Sequence, residues 1–247
     1  MAIVTTDDRH YRNIASTIRE KTGTSTTYTP EEMPSGVSEV FDAGKKAEYD
    51  RFWDAFQNNG KRTNYDRAFY GEGWNETSYT PKYDMQPTSA NQMFASSNVS
   101  GIEVTTVDFS KATTGDYLLY NCQKLTRVPT ISLVSLSGLN NTFAWSGNIV
   151  TIDKLVLKSD GSQTFTTTFQ SCGSLVNLTI VGTIGQNGFN VGGSPKLSHD
   201  SLMSIINALQ DKTSVGGTWS VTLGATNLAK LTDAEKAIAT QKGWTLA

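Results

Sequence analysis

One pattern of side chains recurs four times in the middle of the chain, every 24 to 26 residues. It consists of an aromatic residue or leucine, a cysteine or serine three positions later, and aliphatic residues three and six positions after that. Phe94, Leu119, Phe143 and Phe169 occupy the first position, and the first copy fits if one residue is deleted before Val99. Repeats of about 20–50 residues are typical of solenoids, in which each unit buries its apolar face by stacking on its neighbours. The chain is therefore predicted to contain a stack of repeats.

The second position of the pattern alternates between serine and cysteine, at Ser97, Cys122, Ser146 and Cys172. This alternation indicates a small, buried and weakly polar side chain. The two cysteines lie two repeats apart, which at about 5 Å per repeat separates them by roughly 10 Å, beyond the reach of a disulfide. We expect two buried thiols without a mutual bond, with a redox or metal-binding role as the alternative.

Apolar residues at alternate positions, such as Leu155 and Leu157, predict one short strand in each repeat. The predicted fold class is α+β, with short N-terminal helices, a β-solenoid over residues 91–197 and a C-terminal cap of helix and strand over residues 198–247. Six aliphatic residues are predicted to form one continuous core: Leu125, Val128, Ile149, Ile152, Leu175 and Leu178.

Charge divides the chain, because residues 1–90 carry 25 charged side chains and residues 91–198 carry only 11. Capping residues and apolar spacing predict a helix over residues 7–21 and a second one that ends near Asn58. Residues 1–58 are interpreted as a helical region for attachment or oligomerisation. A helix that packs on its own chain is the alternative to a trimeric coil.

Residues 59–90 are rich in aromatic side chains. We interpret them as the N-terminal cap of the solenoid, since a repeat stack must shield its terminal strand edges. Alternatively, aromatic rings of this segment, such as Tyr70, Trp74 and Tyr79, form a platform for sugars.

Composition and motifs argue against several classes of protein. The net charge of −2 gives no field that favours nucleic acid or an anionic membrane. The chain has neither an apolar run long enough to cross a membrane nor the features of a signal peptide at its start. It also lacks metal-ligand spacing, a nucleophile elbow and a phosphate loop. We predict no enzymatic activity and no catalytic, cofactor-binding or metal-binding residues.

Two pairs of carboxylates keep a hydrolase among the alternatives. Asp50 with Asp54 and Glu72 with Glu76 have spacings that could bring two carboxylates together, as in glycosidases. Such pairs are common on charged surfaces, so a glycan hydrolase ranks third among the functions considered.

Particular segments of the chain resemble known families. The repeat resembles the BspA-type leucine-rich repeat of bacterial surface proteins, over residues 90–200. The segments IASTIREKTG (14–23), YTPEEMP (28–34) and YDRFWD (49–54) are similar to the openings of structural proteins of tailed phages and prophages, including tail-fibre and baseplate-associated proteins. The segment LTDAEKAIATQKGWTL (231–246) is similar to their closing unit.

These resemblances imply a leucine-rich-repeat-like solenoid in a virion protein, which leaves its host by lysis and needs no signal peptide. The predicted function is that of a non-enzymatic tail-fibre, receptor-binding or baseplate-associated protein. The expected partners are other virion proteins, further copies of the chain in a homo-oligomer (a trimer is favoured), and a glycan or protein on the host cell surface. The alternative is a bacterial repeat scaffold or adhesin that binds protein or glycan.

Four side chains of the repeats are the candidate receptor contacts. Tyr120, Asn121, Trp145 and Asn148 stand beside buried anchors without fitting the apolar period, so they are expected to point outward. Trp145 is the strongest candidate, because the equivalent position holds serine or asparagine in the other copies. The alternative is that its ring fills a groove between repeats.

Overall fold

The computed structural model describes residues 61–71, 84–99 and 107–247. All of them except Lys61 belong to one unit, Arg62–Ala247. The predicted N-terminal helices lie outside the described residues. The predicted domain limits at residues 58, 90 and 197 stay predictions.

Regular secondary structure in the described part of the chain consists of short strands followed by mixed strands and helices. A 3-10 turn over Phe109–Lys111 comes first. The strands are β1 (Arg127–Val128), β2 (Ile131–Ser132), β3 (Thr151–Val156), β4 (Asn177–Val181), β5 (Trp219–Val221) and β6 (Trp244–Leu246), and the helices are α1 (His199–Ala208), α2 (Ala225–Leu228) and α3 (Asp233–Gln241). No helix among the described residues is long and apolar enough to cross a membrane.

Two small parallel sheets contain these strands. In the first, β3 pairs with β1, β2 and β4, and Ile152 of β3 stands between Val128 of β1 and Leu178 of β4. The register shifts between Ile152 and Leu155, so β3 carries a bulge where it pairs with β4. The second sheet pairs β5 with β6.

The predicted leucine-rich-repeat-like β-solenoid is wrong. The described residues form a mixed α and β structure with few helices and with short strands in two small sheets, not a β-sheet that continues over residues 91–197. The first sheet lies between residues 127 and 181, and elsewhere in that range turns and isolated bridges take the place of strands. Left-handed residues in those turns are the reason, because a positive φ is incompatible with an extended strand.

Backbone hydrogen bonds join each repeat, here called a level, to the next one along the chain. The N–H groups of alternate residues in a level donate to carbonyl groups about one repeat later. At the anchor position the donors and acceptors are Phe94 and Leu118, Leu119 and Thr142, and Phe143 and Thr168, with N···O distances of 2.8–3.0 Å. Groups that the turns leave unpaired within one level are thus satisfied by its neighbour.

Each turn carries two residues in the left-handed region, four positions apart. The pairs are Arg67 and Gly71, Gln92 and Ser96, Tyr117 and Asn121, Asn141 and Trp145, and Thr167 and Ser171. Left-handed residues reverse the winding of the backbone, so these pairs set the shape of the turn that the levels share. They form two columns along the molecule.

The core lies on one side of these turns. Aromatic anchors of neighbouring levels stack, with ring centroids 5.3 Å apart for Phe69 and Phe94 and 5.5 Å apart for Phe143 and Phe169. All six residues of the predicted aliphatic core are buried, at most 1% exposed, which confirms that they are interior. Burial of a single leucine or isoleucine contributes roughly 1.5–3 kcal/mol, so the ladder is a major source of stability.

Both cysteines are free and buried, which confirms the prediction of two thiols without a mutual bond. The thiol of Cys122 donates to the carbonyl oxygen of Phe94 at 3.1 Å. Cys172 makes the same contact with Phe143, also at 3.1 Å. Burial raises the pKa of the Cys122 thiol to about 11 and that of Cys172 to about 12, because a thiolate would lose its hydration.

Serine satisfies the same position in the same manner. The Ser146 hydroxyl donates to the carbonyl oxygen of Leu119 at 2.7 Å and accepts the N–H of Cys122 at 2.9 Å. Cysteine and serine thus make equivalent contacts at Cys122, Ser146 and Cys172. The hydroxyl of Ser97, at the same position of the first copy, is buried without a hydrogen-bond partner among the described residues.

A ladder of polar side chains follows the outer part of the turns. Asp66 accepts the N–H of Asn91 at 2.7 Å, and Asn91 accepts the N–H of Asp116 at 3.0 Å. Asp116 in turn accepts the side-chain amide of Asn140 at 3.0 Å. Hydrogen bonds of these side chains thus join neighbouring levels, in addition to the hydrogen bonds between their backbones.

Residues 198–247 contain the elements that the sequence indicates. The side chain of Ser198 caps helix α1, and Thr232 and Glu235 form a capping box at the start of α3. Strand β6 follows Gly243, which ends α3 with a left-handed φ of +81°.

The buried thiols make stability depend on pH in one direction. Below pH 9 the cysteines are protonated in both states, whereas above pH 9 they ionise in the unfolded chain before they ionise in the native one. The cysteine contribution to the free energy of unfolding should therefore fall as the pH rises from 9 to about 11. A double variant with Cys122→Ser and Cys172→Ser should fold and should show a shallower fall over that range.

Urea unfolding in reducing buffer at pH 7, 9 and 11 measures this difference, and the pH 7 data serve as the control, where the two proteins should be similar in stability. Equal pH dependence of the wild type and the double variant would contradict the burial of the thiols.

Candidate functional site

Trp145 presents a large ring to solvent on the surface that the turns form. Its side chain is 49% exposed, and its φ is +62°. It occupies the same left-handed column as Ser96, Asn121 and Ser171. A bulky residue is unusual in this region of backbone conformation, and such outliers cluster at functional sites. The other members of the column, Ser96, Asn121 and Ser171, carry no ring.

Gln123 joins three of the four predicted contact residues. Its side-chain amide donates to the Asn121 side-chain oxygen at 2.8 Å and to the backbone carbonyl of Trp145. Its own carbonyl oxygen accepts the side-chain amide of Asn148 at 2.8 Å. The N–H of Asn121 donates to the Ala144 carbonyl at 2.9 Å, which places Asn121 directly beside Trp145 on the neighbouring level.

Tyr120, the fourth predicted residue, directly precedes Asn121 in the chain and contacts a second tyrosine. The rings of Tyr117 and Tyr120 meet edge to face, with centroids 5.2 Å apart. Tyr117 is 37% exposed and has a φ of +58°. We call the resulting surface the aromatic–amide patch; it consists of Tyr117, Tyr120, Asn121, Gln123, Trp145 and Asn148.

The patch offers apolar rings and neutral hydrogen-bonding groups. Asparagine and glutamine amides both donate and accept, and a tyrosine or tryptophan ring combines an apolar body with one polar group. None of the six side chains is charged at neutral pH. Such a surface suits a neutral ligand with hydroxyl or amide groups.

The aromatic platform stays a prediction, because Tyr70 alone of its three residues belongs to the described part of the chain. Tyr70 is 44% exposed, and the Arg67 guanidinium lies 4.2 Å from the centre of its ring. Gly71 bonds to Ala95, and Ser96 bonds to Tyr120, so Tyr70 stands two levels from the aromatic–amide patch. Trp74 and Tyr79 lie outside the described residues.

Ionisable groups elsewhere serve structural roles. His199, at the start of α1, lies 2.8 Å from Glu235 of α3 and connects the two helices. The Thr232 backbone N–H, its hydroxyl and His199 lower the pKa of the Glu235 carboxyl, in that order of importance. Within residues 61–71, 84–99 and 107–247 no cluster of histidine, cysteine and acidic side chains could hold a metal ion.

Sequence analysis missed Gln123 and Tyr117. Gln123 follows the buried Cys122 with no pattern of its own, and its role depends on contacts with residues 22 and 25 positions away. Tyr117 could have been found by comparing the copies, because its column contains arginine, glutamine, asparagine and threonine in the other levels.

Comparison with models of protein families, with curated proteins and with solved structures finds no match for this chain.

Replacement of Trp145 tests whether its ring stabilises the fold. Trp145→Asn places in the left-handed column the residue that Asn121 already provides there. Relief of left-handed strain is worth up to about 1–2 kcal/mol, so the melting temperature should stay the same or rise. Phe143→Ala, two positions earlier and buried, should instead cost about 3–5 kcal/mol. A loss of more than about 1 kcal/mol in Trp145→Asn would assign the ring to packing between levels.

Proposed function

We propose that this protein is a non-enzymatic virion component of a tailed phage or prophage, and that it attaches to the host cell surface through the aromatic–amide patch. The observation that carries the proposal is the exposed Trp145, held at a positive φ within a group of hydrogen-bonded amides. The resemblance of the N-terminal and C-terminal segments to phage structural proteins supports the virion assignment.

A neutral surface glycan is the receptor that best fits the patch. Sugar rings have apolar faces that pack on aromatic rings, and their hydroxyl groups pair with side-chain amides. The patch has no charged side chain with which to select a charged protein surface, which makes a glycan the better fit than a charged protein. The connection of Asn121, Trp145 and Asn148 through Gln123 fixes the amides before a ligand arrives, and such preorganisation reduces the entropy cost of binding.

Oligomerisation through residues 1–58 is part of the proposal. A single shallow patch binds weakly, and several copies on one particle raise the overall affinity by about 100- to 10,000-fold without any new contact. A trimer, the favoured state, would present three patches to one cell surface.

Binding to immobilised bacterial surface polysaccharides tests the receptor. The full-length protein should bind a subset of them, and Trp145→Asn should weaken binding by about tenfold or more, as expected for a central aromatic contact. Val215→Ser is the matched control, because Val215 is 46% exposed in the loop between α1 and β5 and lies outside the patch. Equal binding of wild type and Trp145→Asn, or equal loss in both variants, would contradict the role of the patch. Release of sugar by the wild type would favour the hydrolase alternative.

Purified particles test the virion assignment separately. Mass spectrometry of particles banded from an induced lysate of the source strain should detect the protein at a constant ratio to the other structural proteins. A protein confined to the cell fraction would favour the bacterial scaffold instead.

A further inference from the structure

The regular stack is interrupted after the fourth level. From Cys172 to Ser194, the next small residue in the series, the chain advances 22 residues, compared with 24 to 26 between the earlier members. Val191 takes the position of the aromatic anchor, and residues 189–191 pair with the segment around Thr222 instead of with the fourth level. The fifth level is therefore two to four residues shorter than the others.

Three backbone N–H groups lose their partners at this interruption. In the third level Asn141, Phe143 and Trp145 donate to carbonyl groups of the fourth level, at 2.7–3.0 Å. The equivalent donors of the fourth level are Thr167, Phe169 and Ser171, and their N–H groups have no hydrogen-bond partner among the described residues. Thr167 and Ser171 are exposed, whereas Phe169 is buried, and a buried N–H group without a partner is rare in proteins and calls for an explanation.

A cleft of about 770 Å³ opens where the missing residues would lie. Residues 165–167 and 169–171 line one side, and residues 187, 188, 190 and 193 line the other. Phe165 and Phe169 are the apolar side chains of the lining, and the Phe189 ring packs on both, with centroids 5.1 Å and 5.5 Å away. Asn187, Asn190 and Gln170 supply neutral amides, and no charged side chain lines the cleft.

We propose that this cleft binds a short, uncharged polypeptide segment, whose main-chain carbonyl groups accept the N–H groups of Thr167, Phe169 and Ser171. The segment would run parallel to residues 167–171 and complete the fifth level. The source of the ligand is a partner protein, and this site is independent of the aromatic–amide patch.

The ladder itself indicates this ligand. At each earlier step of the stack, N–H groups of alternate residues donate to main-chain carbonyl groups that are two residues apart. A polypeptide that adopts the turn of residues 166–170 supplies carbonyl groups at that spacing on one side of its chain. An anion is less suitable, because no lysine, arginine or histidine lines the cleft.

Amide exchange measured by NMR on the full-length protein tests the proposal at the atoms concerned. In the free protein the N–H groups of Thr167, Phe169 and Ser171 should exchange at least about tenfold faster than those of Asn141, Phe143 and Trp145, because only the latter are hydrogen-bonded. The probe is an acetylated and amidated copy of residues 166–170, the sequence that provides three of the acceptor carbonyls for the third level. At concentrations up to about 10 mM, which reveal millimolar affinities, it should shift those three signals saturably and slow their exchange.

Two glycine variants distinguish this site from nonspecific binding. A Cβ on Gly193 would meet Ser171 N at 3.5 Å, an ordinary contact, so Gly193→Leu should fill the cleft and abolish the shifts. Gly216→Leu is the control, since a Cβ there meets nothing within 4 Å. The proposal is overturned if the three amides are already as protected as their third-level equivalents, if the peptide shifts none of them, or if Gly193→Leu retains the shifts. It is also overturned if chitotriose or inorganic phosphate shifts the three signals and the peptide does not.

Discussion

Hydrogen bonds between the backbones of successive levels are the interaction on which the rest of this structure depends. Each turn up to the third level directs alternate N–H groups to the next level, and the carbonyl groups that receive them belong to residues of the equivalent turn. This alignment brings equivalent side chains into contact, so that Phe143 meets Phe169 and Asn91 meets Asp116. The aromatic stack, the small-residue positions and the polar ladder all follow from the register that the backbone sets.

The left-handed residues that make these turns also determine the outer surface. The side chains of Tyr117 and Trp145 are exposed at such positions. The anchor of each turn, which lies between the two left-handed residues of that turn, is buried in the core. Asparagine and glycine occupy such positions at low cost, and large rings do not. The rings at Tyr117 and Trp145 therefore stand where the fold gains little from them, which is the reason to assign them to recognition. Where the fifth level is short, the same geometry leaves donors open to a ligand.

The features of the fold that depend on spacing alone could be predicted from the sequence. The repeat period, the buried thiols and the capping box of Thr232 and Glu235 are of this kind. The prediction of a solenoid built from strands was wrong because the turn residues, such as Gln92 and Tyr117, carry no local signal for a positive φ. Contacts between levels impose that backbone conformation. Only part of the candidate site could be predicted from the sequence. The exposure of Trp145 follows from comparison of the repeats, whereas the bridging role of Gln123 depends on contacts with residues distant in the sequence.

The most direct test of this account measures the hydrogen bonds between levels themselves. Scalar couplings transmitted across hydrogen bonds, recorded by NMR on the isotope-labelled full-length protein, identify each donor nitrogen with its acceptor carbonyl carbon. The account predicts couplings from Phe94 to Leu118, from Leu119 to Thr142 and from Phe143 to Thr168. Absence of these couplings, or couplings from the same nitrogens to carbonyl groups within their own level, would contradict it.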